Sequence, residues 1–126
     1  MGTEVADVLD LDPARVFKTL LVDIPDGDAV AIVAAHRQLD LRALSRELSV
    51  KRSTMADERT AERVSRSVVG AISPFGLPRR LPTVLDESAA DHPTIFVSAG
   101  RRGLELELSP DDLVSVLGCR TAPITT

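Results

Sequence analysis

Aromatic side chains are almost missing from this 126-residue chain: there is no Trp and no Tyr, and Phe17, Phe75 and Phe96 are the whole set. Base stacking on aromatic platforms is therefore excluded as a main mode of nucleic-acid binding. Cys119 is the single cysteine, so the chain has no intramolecular disulfide and no Cys-based zinc site. Lysine is scarce too. Of 15 basic residues only Lys18 and Lys51 are lysines. A nucleotide bias of the source genome accounts for that ratio, and it makes the two survivors worth following. Apolar runs stop at about seven residues, far below the roughly 20 of a membrane-spanning helix. The start, Met1-Gly2-Thr3-Glu4, has neither a basic nor an apolar leader region. A cytoplasmic protein without a membrane partner is expected. The net charge of -4 argues against a broad basic surface, though not against a local basic patch.

What is present is ordinary globular composition, 44% apolar and 27% charged, at a length that fits one domain over residues 1–126. Thr3–Leu11 has the spacing of a short amphipathic helix. Val16–Ile24 and Ala29–Ala35 read as a buried hairpin around Pro25-Asp26-Gly27-Asp28, with Gly27 expected to take the positive φ. Asp40 and Asp57 are placed to cap helices over Leu41–Leu48 and Glu58–Val64. Val50–Met55, Leu81–Leu85, Thr94–Ser98, Leu104–Leu108 and Cys119–Ile124 read as further strands, and Leu104, Leu106 and Leu108 alternate with Glu105 and Glu107. Ser109-Pro110 opens a helix that Gly118 ends. About seven strands with several short helices make an α+β domain, with a curved, barrel-like mixed sheet.

Few residues carry chemistry. His36 and His92 lack ligand neighbours, which leaves no metal site, and no nucleophile elbow or phosphate-binding glycine motif is present. Lys18 interrupts an apolar strand. Alternation alone turns it outward to solvate the sheet; the alternative is a cleft-lining ammonium offered to an anion or a polarised carbonyl. Gly70-Ala71-Ile72-Ser73-Pro74-Phe75-Gly76 reads either as a tight turn or as a close backbone approach to a ligand. Ser98-Ala99-Gly100-Arg101-Arg102-Gly103 is a hairpin turn or an anion-facing rim. With the second pair Arg79-Arg80, it suggests a localised anion site.

In this order, Arg15-Val16-Phe17-Lys18-Thr19-Leu20, Gln38-Leu39-Asp40, Val69 to Gly76, Leu81-Pro82-Thr83 and Val97 to Glu105 resemble the YbaK family over nearly the whole chain. These are aminoacyl-tRNA deacylases related to the editing domain inserted in bacterial prolyl-tRNA synthetase. The resemblance implies trans-editing: hydrolysis of the ester of a mischarged small amino acid, Cys or Ala, on proline tRNA. The implied partners are the aminoacyl-tRNA 3′ end and prolyl-tRNA synthetase, and no cofactor is implied. On the matching positions, Lys18 and Gly70 are the implied catalytic pair. Thr19, Ala71, Ile72, Ser73, Pro74, Ser98, Gly100 and Glu105 are the implied substrate-binding set. Arg79, Arg80, Arg101 and Arg102 are the expected tRNA phosphate contacts, and Lys51 is a surface residue. Departures from the family pattern are Ser65-Arg66 for Thr-Gly, Ala71 for Gly and Glu105 for Asp. Set against the family pattern, this sequence is expected to lack the family's usual N-terminal elements. Two expectations follow: an uncovered apolar face that pairs the chain with itself as a homodimer, and an alternative role as a catalytically impaired tRNA-end or synthetase-binding module of the same fold.

Overall fold

The computed structural model of the chain describes residues 11–126; the helix expected at Thr3–Leu11 falls almost wholly outside the described residues. Strand β1 (Phe17–Ile24) and strand β2 (Gly27–Ala34) form the central hairpin, in full antiparallel register from Phe17↔Ala34 to Ile24↔Gly27. The turn differs from expectation in one residue. Asp26, not Gly27, takes the positive φ (65°), while Gly27 already pairs as the first residue of β2. Asp tolerates the left-handed region, so a two-residue Pro25-Asp26 turn closes the hairpin without needing glycine there.

Helix α1 (Leu41–Leu48) starts where Asp40 accepts a hydrogen bond from the Ala43 amide at 3.1 Å, and it ends on Ser49 in the left-handed region. The short strand β3 (Thr54–Met55) follows, shorter than the expected Val50–Met55 because only Val22 and Asp23 of β1 pair with it. Helix α2 (Glu58–Ser65) is capped by Asp57, whose carboxylate accepts from the Thr60 amide at 2.7 Å. Strand β4 (Thr83–Asp86) leads into a 3-10 turn, Glu87–Asp91, which the sequence reading did not anticipate. Its anchor is buried Asp86, which accepts from Ile124 N at 2.9 Å and Ser88 N at 3.2 Å. Strands β5 (Ile95–Arg101) and β6 (Leu104–Leu108) form a ribbon. Helix α3 (Pro110–Leu117) is capped by Ser109 and stopped by Gly118 at φ 62°, and β7 (Arg120–Ala122) completes the chain.

Seven strands are present among the described residues, yet they do not close into a barrel. They form a five-stranded sheet of order β3-β1-β2-β4-β7, antiparallel at β1 and parallel between β2, β4 and β7, beside the separate two-stranded ribbon β5-β6. Among the described residues the ribbon joins the sheet's backbone ladder through a single parallel bridge, Val16↔Phe96, with Phe96 N donating to Arg15 O at 2.8 Å. One bridge cannot continue a ladder, so curvature stops short of closure.

The sheet is buried on both faces, which explains the unbroken apolar run of β2. Phe17, Leu21, Val30, Ile32 and Leu85 face Ile95 and Val97 of the ribbon, Leu113 of α3 and Ala61 of α2. Val22, Ala31, Val33 and Val84 face Leu44 of α1 and Ile124. No helix of the described residues is long and apolar enough to cross a membrane.

Candidate functional site

Among the described residues the outer edge of β1 is held at two places. The ribbon bridges it at Val16; β3 pairs with Val22 and Asp23, and Ala56 N donates to Leu21 O at 3.1 Å. Lys18, Thr19 and Leu20 lie between these attachments, and no described strand pairs with them on that side. A cavity of about 280 Å³ opens there, lined by Lys18, Thr19, Gly70, Ile72, Ser98 and Glu105 together with the apolar Val16, Phe17, Leu20, Ala35 and Val69. Three stretches far apart in sequence, near residues 18, 70 and 100, thus meet at one opening.

Lys18 is half-buried, and its Nζ has one partner, the Ala35 carbonyl oxygen at 3.4 Å. That long contact leaves donor capacity free. Burial holds its pKa below the ordinary lysine value. Glu105, which lines the same cavity, is half-buried, and burial pushes its carboxyl pKa upward. Among the described residues its Oε2 and the hydroxyl of Thr19 are buried without a hydrogen-bond partner. Unpartnered buried polar atoms are rare, because each forfeits hydration without a replacement. Two of them line this one cavity.

Strand β6 explains how Glu105 gets there. A hydrophobic-in reading of Leu104-Glu105-Leu106-Glu107 would turn the leucines to the core. The structure reverses it: Leu104 is 49% and Leu106 43% exposed, while Glu105 turns toward the cavity. The register is set by the ribbon turn. Gly100 (φ 95°) and Gly103 (φ 78°) both need positive φ, and a register shift lies between Ser98 and Arg101. That bulge places Ser98 opposite Glu105. The Ser98 hydroxyl also accepts from Gly100 N at 3.2 Å.

The third wall is the loop after α2. Gly70 takes φ 92°, and its amide makes no hydrogen bond among the described residues. The amide of Ala71 is committed to Val68 O at 3.0 Å. Glu62 of α2, which the sequence reading passed over, accepts from Val69 N at 3.0 Å and so fixes the loop to the helix.

Several expected site residues do not line the cavity. Ala71 and Pro74 are buried beside it, and Ser73 spends its hydroxyl on the Phe75 amide at 3.2 Å. Gly100 shapes the bulge without facing the opening. The arginine pairs are also elsewhere. Arg101 and Arg102 are exposed at the ribbon tip. Arg79 is exposed, and Arg80 lies over the end of α3, where a Cβ on Gly118 would stand 2.6 Å from its guanidinium. A cation there suits the partial negative charge of a helix C-terminus. Arg15, at the start of the first motif, has a structural role. Its guanidinium stacks on the Phe96 ring at 5.0 Å, donates to Thr94 O at 3.1 Å and pairs with Glu107 at 3.3 Å. It ties the ribbon, and with it Glu105, to the start of β1.

The model of the aminoacyl-tRNA editing domain matches residues 3–116. A relative from Enterococcus faecalis, EbsC, described as a candidate Cys-tRNA(Pro)/Cys-tRNA(Cys) deacylase, is 35% identical over 123 residues, which are 97% of this chain and 75% of that protein. A proline–tRNA ligase of Streptococcus mutans is 28% identical over 103 residues, 82% of this chain but 17% of the ligase. A solved structure described as a candidate trans-editing enzyme for prolyl-tRNA synthetase superposes with TM-score 0.89 at 20% identity, covering 100% of this chain and 80% of that one. At that identity the likeness is one of fold.

Proposed function

The chain belongs to the aminoacyl-tRNA editing domain family, and on that footing we propose that it is a trans-editing deacylase. It would hydrolyse the ester that joins a mischarged small amino acid, Cys or Ala, to the terminal adenosine of proline tRNA. One observation carries the proposal. A single cavity is lined by a lysine and a glutamate with spare bonding capacity, plus a hydroxyl unpartnered among the described residues. An aminoacyl-tRNA end has matching charges: an α-ammonium on the amino acid and phosphates beside the terminal ribose. Each half-desolvated side chain gains an opposite charge when that ligand enters. The volume, about nine waters' worth, suits a small acyl group and an attacking water.

The roles follow. Lys18 donates to the ribose or phosphate oxygens and holds the ester in place. Glu105 accepts from the α-ammonium, with Ser98 beside it. The free amide of Gly70 stabilises the oxyanion formed when the carbonyl is attacked, a contribution of roughly 3–4 kcal/mol for a well-aimed donor. The nucleophile is a water or, for a cysteinyl ester, the substrate's own thiol; the ester bond breaks and the ribose oxygen leaves with a proton. Relatives named for Cys-tRNA deacylation and for prolyl-tRNA synthetase editing support this substrate class and the synthetase as partner.

The test is hydrolysis of Cys-tRNA and Ala-tRNA of proline specificity by the wild type and by Lys18→Ala. Turnover by the wild type, lost in the variant, is expected. Full activity in Lys18→Ala refutes the site, and tRNA binding without turnover by the wild type favours a catalytically silent binding module.

A further inference from the structure

We propose that the corner between α1 and β3 is a docking surface for the phosphate backbone of the tRNA body, separate from the cavity that receives its 3′ end. This inference rests on the tRNA reading above. The net charge of the chain is -4, yet Arg42, Arg46, Lys51 and Arg52 crowd around one concavity of about 350 Å³. All four are exposed, and none has an ion-pair partner among the described residues. The one acid between residues 41 and 53, Glu47, is turned away to Arg120 at 3.7 Å.

The fold builds this cluster on a fixed base. Arg42 and Arg46 stand one turn apart on α1 and so share a face. Ser49, in the left-handed region with φ 57°, reverses the chain and brings Lys51 and Arg52 back beside that face. The floor is locked by two buried serines. The Ser45 and Ser53 hydroxyls are 2.7 Å apart, and Ser53 Oγ donates to Leu41 O at 2.8 Å. Four like charges held this close repel one another, and an anion relieves that.

The chemistry of the surface selects its partner. It has cations and hydroxyls but no aromatic ring, so it can neutralise phosphates and cannot stack bases. Its position suits the stem of the same tRNA. β3 pairs with Val22 and Asp23, and Lys18 is five residues back along β1 from Asp23, about 17 Å at strand rise. Arg52 precedes Thr54 by two residues, on the side of the antiparallel pair away from Lys18, so the surface is roughly 20–25 Å from the cavity. At about 3 Å per base pair that is the span of an acceptor stem. The arginine pairs expected to meet phosphates, Arg79-Arg80 and Arg101-Arg102, share no such concavity with one another.

The experiment measures binding of 3′-fluorescein-labelled, uncharged proline tRNA by anisotropy across a KCl series. It compares the wild type with R42Q/R46Q/K51Q/R52Q and with the charge-keeping R42K/R46K/R52K. Expected is at least a tenfold weaker Kd for the glutamine variant, with the slope of log K against log salt shallower by about 3–4, and near wild-type binding for the lysine variant. In deacylation, KM for full aminoacyl-tRNA rises at unchanged kcat. An aminoacylated CCA trinucleotide, too short to reach the corner, is hydrolysed equally by all three. Circular dichroism melting checks that the glutamine variant is folded. An unchanged Kd and salt slope overturns the proposal. So does an equal loss on the trinucleotide, and so does a variant that keeps tRNA binding but loses prolyl-tRNA synthetase. The two readings fail separately. Wild type that binds tRNA through these four residues but hydrolyses no ester defeats the deacylase and keeps the surface. Hydrolysis with identical KM in all three proteins does the opposite.

Discussion

Glu105→Gln separates what the cavity does for the ligand from what it costs the fold. The substitution keeps the shape of the side chain and removes its charge. In the wild type Oε2 is buried without a partner, and burial alone holds the carboxyl above the ordinary glutamate range. The folded protein therefore keeps the proton to a higher pH than the unfolded chain does. Stability falls as pH rises through that interval and is lowest above it. The amide does not titrate. At pH values well below the ordinary glutamate range both proteins are neutral here and should unfold alike; well above that range the variant should be the more stable. The amide leaves a polar atom unpartnered there but removes the buried charge; burying a polar group without a partner costs about 1–3 kcal/mol and a charge more, and for a half-buried side chain the difference belongs at the low end. A gain of about 1 kcal/mol is expected, or roughly 3–5 °C in Tm for a domain of this size. Urea unfolding at several pH values measures it. Hydrolysis should move the other way: losing a charged hydrogen bond to the α-ammonium removes about 1.5–3 kcal/mol, a ten- to hundredfold fall in kcat/KM. A variant that is less stable than wild type above neutrality, or that gains the same amount at all pH values, would refute the reasoning.

Other substitutions test neighbouring steps. Lys18→Ala should cost at least a hundredfold in deacylation yet shift Tm little, because the side chain has only one long hydrogen bond to lose. Gly100→Ala should destabilise by about 1–2 kcal/mol purely through its φ of 95°, since an added Cβ meets nothing within 4 Å. Gly27→Ala, with equal space and no positive φ, should be neutral or stabilise by up to about 1 kcal/mol; thermal melts of the pair isolate the backbone effect. Arg15→Ala should lose about 1–2 kcal/mol, because Thr94 and Glu107 lose their shared partner. It should also raise KM as Glu105 loosens, which separate kcat and KM measurements will show.

Elements whose signals are local were readable from the sequence. Asp40, Asp57 and Ser109 cap their helices, and Gly118 stops the last one, because each satisfies a backbone group within three or four residues. The central hairpin was legible for the same reason, though its turn was assigned to the wrong residue. Closure into a barrel was not legible. It depends on how many residues the ribbon pairs with β1, which no local pattern encodes. The 3-10 turn at Glu87–Asp91 is likewise fixed from a distance, by Asp86 reaching the amide of Ile124.

The cavity shows what kind of signal a site leaves. Lys18 is legible because it breaks an apolar strand; alternation alone turns it outward, and the structure has it half-buried in the stretch of β1 edge that no described strand pairs, where it lines the cavity. Thr19 and Glu105 break the pattern in the same sense: each turns a polar atom inward where the fold alone would place a hydrocarbon. Glu105 does so while Leu104 and Leu106 are left in solvent, so the inversion costs stability at two leucines as well as at the carboxyl. Folding gains nothing from that arrangement, which is why it supports the proposed ligand-binding role. The arginine pairs lacked this property. They follow the ordinary rule for exposed turns, and their sequence gave no way to tell a solvated pair from a phosphate contact. At the α1–β3 corner the cue is different in kind: each cation is ordinary by itself, and only the reversal at Ser49 brings the four together.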